Sequence, residues 1–229
     1  MYEVKSICVQ CGSSVGADEN YKISAYNFGA LLANLKIRLV YGGSNVGLMG
    51  AIARGCLENG GEAIAIIPES IKSMVEMLEV TELYVVNSMH ERKAMMNDLA
   101  DAFIAMPGGF GTLEEMFEVI TWNQLHLISK PIGLFNINNY YDKLMEFLNH
   151  SVECGFIRRE HLEMVHCDSD INNILKKFGD YIQSKERILF LKKSHIEDTE
   201  KYFAENGGKT VILARFIPIV RTIAPFVAG

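Results

Sequence analysis

The sequence predicts a doubly wound α/β fold, in which a mostly parallel sheet carries helices on both faces. Three observations support this prediction. Short apolar segments alternate with segments of helical periodicity. The apolar segments are almost continuously hydrophobic, as in parallel strands buried on both faces. The unusual glycine-rich segments follow the predicted strands rather than the helices.

The predicted strands are bounded by Gly, Pro or Asn, and they are Val4–Val9, Ile37–Tyr41, Ala63–Ile67, Leu83–Val86, Ala102–Met106, Ile132–Phe135 and Met164–Cys167. Helical patterns separate or follow them at Glu19–Leu35, Gly47–Glu58, His90–Ala100, Thr112–Leu125, Tyr140–Glu153 and Asp170–Gln183. This alternation is typical of a Rossmann-like sheet.

Composition narrows the class of protein. The chain has 229 residues, 49% of them hydrophobic, which is enough for one good-sized core. Its 28 acidic and 22 basic side chains give a net charge of −6, which disfavours nucleic acid as a partner. No charged-then-apolar signal segment precedes the first strand, so we expect a cytoplasmic protein.

The cysteines and histidines predict neither a disulfide framework nor a metal site. The number of cysteines is odd, at 5, and they are scattered. Cys8 and Cys11 form a CxxC, but Cys8 lies in a predicted strand, whereas a redox motif places it at a helix N-terminus. No second pair completes a zinc site, and "HERKA" at His90 lacks the second histidine of a zinc protease. We expect no metal and no cofactor.

Four strand-to-helix junctions carry the unusual segments, which are "CGSSVG", "YGGSNVGLMG", "NSMHERK" and "PGGFGT". In a parallel sheet, such junctions share the carboxyl edge, where ligands bind. We therefore expect Ser13, Gly43, Arg92 and Gly109 to converge, although they are far apart in the chain.

These junctions have the chemistry of a phosphate site. Glycine turns let backbone N–H groups approach an anion, and a helix N-terminus adds about half a positive charge. Arg92 and Lys93 add two cations. A dinucleotide fingerprint fails because Glu114 occupies its third glycine position, and no GK[ST] follows "GSNVGLMG" to make a Walker loop. A mononucleotide or a sugar phosphate remains.

Other interpretations of the same residues stay open. Thr112 and Glu115 have the spacing of a capping box, with Thr112 as the N-cap. Glu114 could simply favour the helix dipole, and Arg92 could be a solvated first-turn residue. The glycines could serve tight turns and close helix–sheet packing.

The segment "PGGFGTLEE" matches the pattern PGGxGTxxE, and "CGSS", "YGGSNVGLMG" and "SMHERKAMM" precede it in order. Over about residues 4–183 the chain resembles the Lonely Guy (LOG) family of cytokinin riboside 5'-monophosphate phosphoribohydrolases, whose members are often labelled lysine decarboxylases. The resemblance implies that the chain hydrolyses the N-glycosidic bond of a nucleoside 5'-monophosphate. Its expected partner is therefore this small-molecule substrate. The rival hypotheses are a non-catalytic nucleotide- or sugar-phosphate-binding module and, far less favoured, a pyridoxal-phosphate decarboxylase.

The resemblance also implies the site residues. Arg92 and Glu115 are the catalytic pair: Glu115 would stabilise positive charge on the ribose, and Arg92 would bind phosphate or ease departure of the base. A further glutamate of the family has Glu76 as its nearest candidate. The substrate-binding positions are Gly12, Ser13, Gly42, Gly43, Gly47, Met89, Lys93, Gly108, Gly109, Gly111, Thr112, Glu114 and Thr121.

The family is typically dimeric, and the apolar stretch "MFEVITWNQLHLI" could bury a second face against another subunit or lie fully inside. We expect a homodimer.

The end of the chain departs from the LOG pattern. Residues 188–229 resemble an internal segment of DedA-type membrane proteins, with Arg215, Pro218, Arg221 and Pro225 on the motif. The apolar end is too short and too interrupted by arginine and proline to span a bilayer as one helix. We favour a passenger tail without its own fold over a surface helix or a membrane anchor. The predicted catalytic domain is then 1–187.

Overall fold

The computed structural model describes residues 4–74 and 76–181. Their centre is a sheet of 7 strands in the order β4-β3-β2-β1-β5-β6-β7, and all of its pairings are parallel. The strands are β1 Ser6–Gln10, β2 Arg38–Tyr41, β3 Ala63–Pro68, β4 Glu82–Val86, β5 Ala102–Ala105, β6 Ile132–Phe135 and β7 Val165–Asp168. The predicted doubly wound fold is confirmed.

Helices connect successive strands. They are α1 Glu19–Asn34, α2 Gly47–Glu58, α3 Glu69–Lys72, α4 Met89–Leu99, α5 Phe110–Gln124, α6 Asp142–Glu153 and α7 Arg159–Leu162, with a short 3-10 turn at Ile137–Asn139. Residues 171–181 are also helical. The predicted helices are present, whereas α3, α7 and the 3-10 turn were missed because each is too short to show a period.

Side chains of the central strands alternate between two apolar layers. Ile7 and Val9 of β1 pack in the layer that contains α1, α2 and the helix over residues 171–181. Cys8, between them, packs in the opposite layer with residues of α4 and α5. The centre of the sheet is therefore buried on both faces, which explains why its strands read as continuous apolar runs. The edge strand β4 differs, because its Leu83 and Val85 are exposed.

The strand order reverses at β1, because β2 lies on one side of it and β5 on the other. The loops after β2 and β5 turn away from one another. A crevice therefore lies between them at the carboxyl ends of the strands. This crevice is where the four unusual junctions meet.

A variant of the capping box lies at the start of α4, in which the glutamate reaches the residue before the N-cap. Ser88 is the N-cap, its Oγ accepts from the Glu91 N–H at 3.1 Å, and Glu91 Oε2 accepts from the Asn87 N–H at 2.7 Å. This reciprocal pair fixes the first turn of α4, from which Arg92 projects.

None of the helices among residues 4–74 and 76–181 combines the length and apolar character needed to cross a membrane. The DedA-like tail and the domain division at residue 187 concern residues outside those described, and both stay predictions.

Candidate active site

A cavity of about 280 Å³ lies at the carboxyl edge of β1, β2 and β5. The end of β1, the loops after β1 and β2, and the starts of α2, α4 and α5 enclose it. Its lining residues are Val9, Gln10, Cys11, Gly12, Ser13, Gly42, Met49, Met89, Arg92, Gly109, Phe110, Gly111, Thr112 and Glu115. Of the four residues expected to converge, Ser13, Arg92 and Gly109 do so.

Arg92 and Glu115 meet at this cavity from two different helices. Arg92 Nη2 lies 3.4 Å from Glu115 Oε1, and each side chain is only 12% exposed. Arg92 Nη1 lies 3.8 Å from Met89 Sδ, a weak acceptor. Within residues 4–74 and 76–181, buried Arg92 Nε has no hydrogen-bond partner. The guanidinium therefore retains donor capacity for an anion.

Glu115 does not cap its own helix, so that interpretation is wrong. The N-cap of α5 is Gly109, and no side chain of the described residues caps the helix start there. Thr112 is already the third helical residue, so Glu115 lies beyond the reach of the N-cap. Its carboxylate is free to face Arg92 and the cavity.

The environment of Glu115 favours its neutral form. Burial raises the pKa of the Glu115 carboxyl, and the positive charge of Arg92 opposes this shift only in part. A buried carboxyl with a raised pKa and one cationic partner at a cavity is typical of acid–base sites.

The start of α5 leaves an open, donor-rich surface. The first N–H groups of a helix have no intrahelical partner, and in the part of the chain that the structure describes no side chain caps them here. A Cβ placed on Gly109 or Gly111 would meet nothing within 4 Å, so neither glycine is required by packing. Their backbone instead borders empty space in the cavity, where an anion can approach.

Gly42 makes room for Arg92. A Cβ at this position would lie 2.3 Å from Arg92 Nη2 and 3.1 Å from Met49 Sδ. Any larger residue would displace the guanidinium from the position where it faces Glu115.

Three other glycines serve close packing. A Cβ on Gly108 would collide with Thr112 Oγ1 at 2.1 Å. Gly47 has a φ of +65°, and a Cβ there would lie 2.2 Å from the Ser13 carbonyl carbon. Gly12 donates its N–H to the Pro107 carbonyl at 3.0 Å. At these positions the packing interpretation is confirmed.

Comparison with known proteins identifies the family. Residues 49–178 match the family described as possible lysine decarboxylase. The chain is 41% identical over 194 residues to cytokinin riboside 5'-monophosphate phosphoribohydrolase LOG1 of Arabidopsis thaliana, covering 84% of this chain and 91% of that protein. It is 48% identical over 155 residues to the cytokinin riboside 5'-monophosphate phosphoribohydrolase of Rhodococcoides fascians, covering 67% and 78%. The chain belongs to the LOG family.

Solved structures confirm the fold at greater distance. The molybdenum cofactor carrier protein of Chlamydomonas reinhardtii superposes with a TM-score of 0.60 at 20% identity, covering 79% of this chain and 99% of that one. The molybdenum cofactor binding protein of Rippkaea orientalis gives 0.59 at 24%, covering 80% and 99%. At these identities the likeness concerns the fold alone.

Several residues at LOG motif positions lie outside the cavity lining. Lys93 Nζ bonds Glu114 Oε1 at 2.6 Å and Glu118 Oε1 at 3.0 Å, and the bond to Glu114 is the main cause that raises the pKa of Lys93. Thr121 Oγ1 donates to the Phe117 carbonyl at 2.7 Å. Lys93, Glu114 and Glu118 thus form a charged cluster between α4 and α5, whereas Thr121 bonds within its own helix.

Gly43 and Glu76 also lie outside the lining. Gly43 has a φ of +83° and faces Ala65 and Ile67 of β3. Glu76 accepts from the Asn45 N–H at 3.0 Å through its backbone carbonyl. The described geometry therefore gives the Glu76 side chain no contact with the cavity.

The cavity includes residues that sequence reasoning missed, among them Gln10, Cys11, Met49 and Phe110. Gln10 and Cys11 directly precede Gly12 at the end of β1, so their position next to a recognised loop was the available signal. Phe110 is the first residue of α5, and 92% of it is exposed.

The two cysteines of the CxxC motif are buried in and just after β1, next to the cavity. Cys8 lies within β1, and Cys11 follows it by three residues. Burial is the main cause that raises the pKa of both thiols, and the charge of Glu115 adds to it. Both remain protonated at neutral pH, which confirms ordinary buried cysteines and excludes either as an activated nucleophile.

Proposed function

We propose that this chain hydrolyses the N-glycosidic bond of nucleoside 5'-monophosphates, of the cytokinin riboside 5'-monophosphate or AMP type, to a free base and ribose 5-phosphate. The relatives named above carry this activity in their names. One observation of the site carries the proposal: a buried carboxylate, Glu115, faces the same small cavity as an incompletely bonded Arg92. Capture of phosphate alone would need no such carboxylate.

The phosphate would bind at the start of α5. The free N–H groups of Phe110, Gly111 and Thr112 and the positive helix end suit a dianion. Open space beside Gly109 and Gly111 lets oxygen atoms reach the backbone. Binding energy from this remote group then positions the glycosidic bond within the cavity.

Glu115 would act at the anomeric carbon. As the C1'–N bond breaks, its electron pair passes to the base and positive charge develops on the ribose. An ionised carboxylate stabilises that charge and accepts a proton from the attacking water. The remaining hydroxyl of the water bonds to C1' and completes ribose 5-phosphate. The proton held by Glu115 then passes to the departed base, which restores the carboxylate.

Arg92 would serve this step through its charge. The guanidinium opposes the effect of burial on the pKa of Glu115, and so favours the ionised carboxylate that the reaction needs. Its unpartnered Nε adds a donor for a phosphate oxygen or for the leaving base.

The experiment compares nucleotides with nucleosides. AMP and a cytokinin riboside 5'-monophosphate are each incubated with the protein, beside adenosine and the cytokinin riboside, and free base and ribose 5-phosphate are quantified by chromatography. We expect release from the monophosphates and at least about a hundredfold slower release from the nucleosides, because these lack the anchoring phosphate. Binding of AMP without release of adenine would contradict the proposal and favour a binding module.

A homodimer completes the proposal, together with the expected cytoplasmic location. The helix α5 and the residues after it bury Met116 and Val119 in the core, whereas Leu125 and Leu127 are exposed. A second apolar surface of this kind suits a partner subunit. Light scattering of the purified chain should give twice the mass of one chain, and a mass of one chain would contradict it.

The catalytic domain is proposed to end by residue 187. The family match ends at residue 178, and among residues 4–74 and 76–181 the cavity is lined by none beyond Glu115. Deleting residues 188–229 should therefore leave kcat/KM within about twofold of the full chain. Loss of activity with retained folding would show that the tail contributes to the site.

A further inference from the structure

The loop between β6 and α6 reaches the turn that opens α5. Tyr140 Oη donates to the Gly108 carbonyl at 2.5 Å, and Tyr141 Oη donates to the Met106 carbonyl at 2.7 Å. Both carbonyls lie in the four residues that join β5 to the first turn of α5. Two consecutive tyrosines thus hold the backbone of this turn from outside the cavity.

The loop is itself fixed by side-chain bonds. Asn136 Oδ1 accepts from the Tyr141 N–H at 2.7 Å, and Asn136 Nδ2 donates to Asp142 Oδ1 at 2.7 Å. Asn138 adopts a φ of +52° and donates to Asp18 Oδ2 at 3.0 Å at the start of α1. The tyrosines therefore project from a constrained segment, not from a free loop.

The turn they hold is coupled to the cavity lining. Pro107, in the same turn, accepts from the Gly12 N–H at 3.0 Å. A Cβ on Gly108 would lie 2.1 Å from Thr112 Oγ1 and 2.8 Å from the Gly12 nitrogen, so these backbones are in close contact. A small shift of the turn would move Gly12 and Thr112, both of which line the cavity.

We infer that Tyr140 and Tyr141 are positioning residues that hold the first turn of α5 in the geometry that binds the 5'-phosphate. Neither tyrosine lines the cavity, so they act through Gly108 and Met106. The inference rests on the proposed function, because it assigns the phosphate to this turn.

The experiment removes one hydroxyl at a time. Tyr140 is 42% exposed, so Tyr140→Phe keeps its ring packing against Tyr21 and Tyr141 and loses only one hydrogen bond. Tyr141→Phe makes the same change at a buried position. Tyr26→Phe is the matched control, since its hydroxyl bonds Glu58 Oε2 at 2.8 Å on the far helices α1 and α2.

Three quantities are measured for each variant: the Kd for ribose 5-phosphate by titration calorimetry, and the KM and kcat for a nucleoside 5'-monophosphate. We expect Kd and KM to rise about fivefold in Tyr140→Phe and in Tyr141→Phe, with kcat within about twofold. Phosphate binding that is equally strong in the ground and transition states raises KM alone when it is weakened. Tyr26→Phe should match the wild type.

A lower melting temperature with unchanged Kd and KM in both variants would overturn the inference and leave a purely structural role. Failure of the proposed function is a separate result. It would show as no release of base by the wild type, while the Kd comparison for ribose 5-phosphate still decides the role of the tyrosines.

Discussion

The two edges of the sheet use polar groups in opposite ways. At the amino edge, Asp101 Oδ2 accepts from the N–H groups of Lys5 at 2.8 Å and Ser6 at 3.0 Å. Ser6 Oγ donates to the Leu99 carbonyl at 2.7 Å and accepts from the Asp101 N–H at 3.2 Å. At the carboxyl edge, Arg92 Nε has no partner among the described residues, and Arg92 meets Glu115 only at 3.4 Å.

This difference separates stability from function within one sheet. Polar groups that form hydrogen bonds with one another stabilise the fold. A buried polar group without a hydrogen-bond partner costs free energy of folding unless a ligand supplies that partner. Active sites are commonly the places where a fold tolerates such a cost. Substitutions at the two edges should therefore have separable effects.

The largest effect is expected for Glu115→Gln. It keeps the size of the side chain but removes the charge that we propose stabilises the ribose cation. We expect kcat to fall about 10³-fold, within the usual range for loss of a positioned acid–base group. Circular dichroism should show an unchanged fold. Full activity in this variant would remove Glu115 from the mechanism.

The next effect is expected for Gly42→Ala, which places a methyl group 2.3 Å from the present position of Arg92 Nη2. The guanidinium must move, and we expect kcat/KM to fall about 10²-fold, as for misplacement of a catalytic group by about 1 Å. Gly179→Ala is the control. This helical glycine has open space around it, so activity should be unchanged. Equal activity in both variants would show that Arg92 does not need this space.

A substitution at the amino edge should lower the stability of the fold and leave the activity almost unchanged. Asp101→Ala removes the acceptor of the Lys5 and Ser6 N–H groups, and we expect about 2 kcal/mol of lost stability. Thermal unfolding should then shift down by about 4–8 °C. We expect kcat/KM within about twofold of wild type at 25 °C. A large loss of activity would mean that the edges are coupled through β1 and β5.

The smallest effect concerns pH. Burial raises the pKa of Glu115 above its ordinary 4.5, and the charge of Glu114 contributes to the shift. We expect kcat/KM to fall as pH decreases through this raised pKa, because the neutral acid cannot stabilise a cation. Glu114→Gln should move that acid limb to lower pH by less than about one unit. A limb that moves to higher pH would contradict this assignment.

The same raised pKa has a defined effect on stability. Between 4.5 and the folded-state pKa, the folded protein binds more protons at Glu115 than the unfolded chain. The stability associated with Glu115 is therefore present at low pH and is lost as pH rises through the folded-state pKa. Chemical unfolding of Glu115→Gln should show a weaker decrease across that window.

Sequence patterns predicted the sheet and the meeting of its loops, because both depend on regular alternation and on the shared edge of parallel strands. The local role of Glu115 could not be predicted in this way. Ser88 with Glu91 and Thr112 with Glu115 have the same capping-box spacing, yet only the first pair forms a box. The second fails because α5 begins two residues before Thr112, at a start set by tertiary contacts.

The role of Gly42 is a second feature that the sequence could not predict. Its sequence context suggested a turn, whereas its main constraint is the space occupied by Arg92, which lies in a different helix. Such a constraint exists only once β2 and α4 are placed beside one another. Gly43 and Gly47 were predicted to bind substrate, but both lie outside the cavity lining, and each adopts a positive φ that favours glycine.

Cys8 gives the centre of the sheet an intrinsic chemical reporter. Its thiol is fully buried and protonated, so a thiol-specific reagent meets a reactive thiolate only after β1 becomes exposed, whereas Cys154 is exposed in the folded state. The rate of slow labelling at Cys8 under native conditions would therefore measure how often the central strand opens. A nucleotide that binds only the closed form should slow that labelling in proportion to its occupancy.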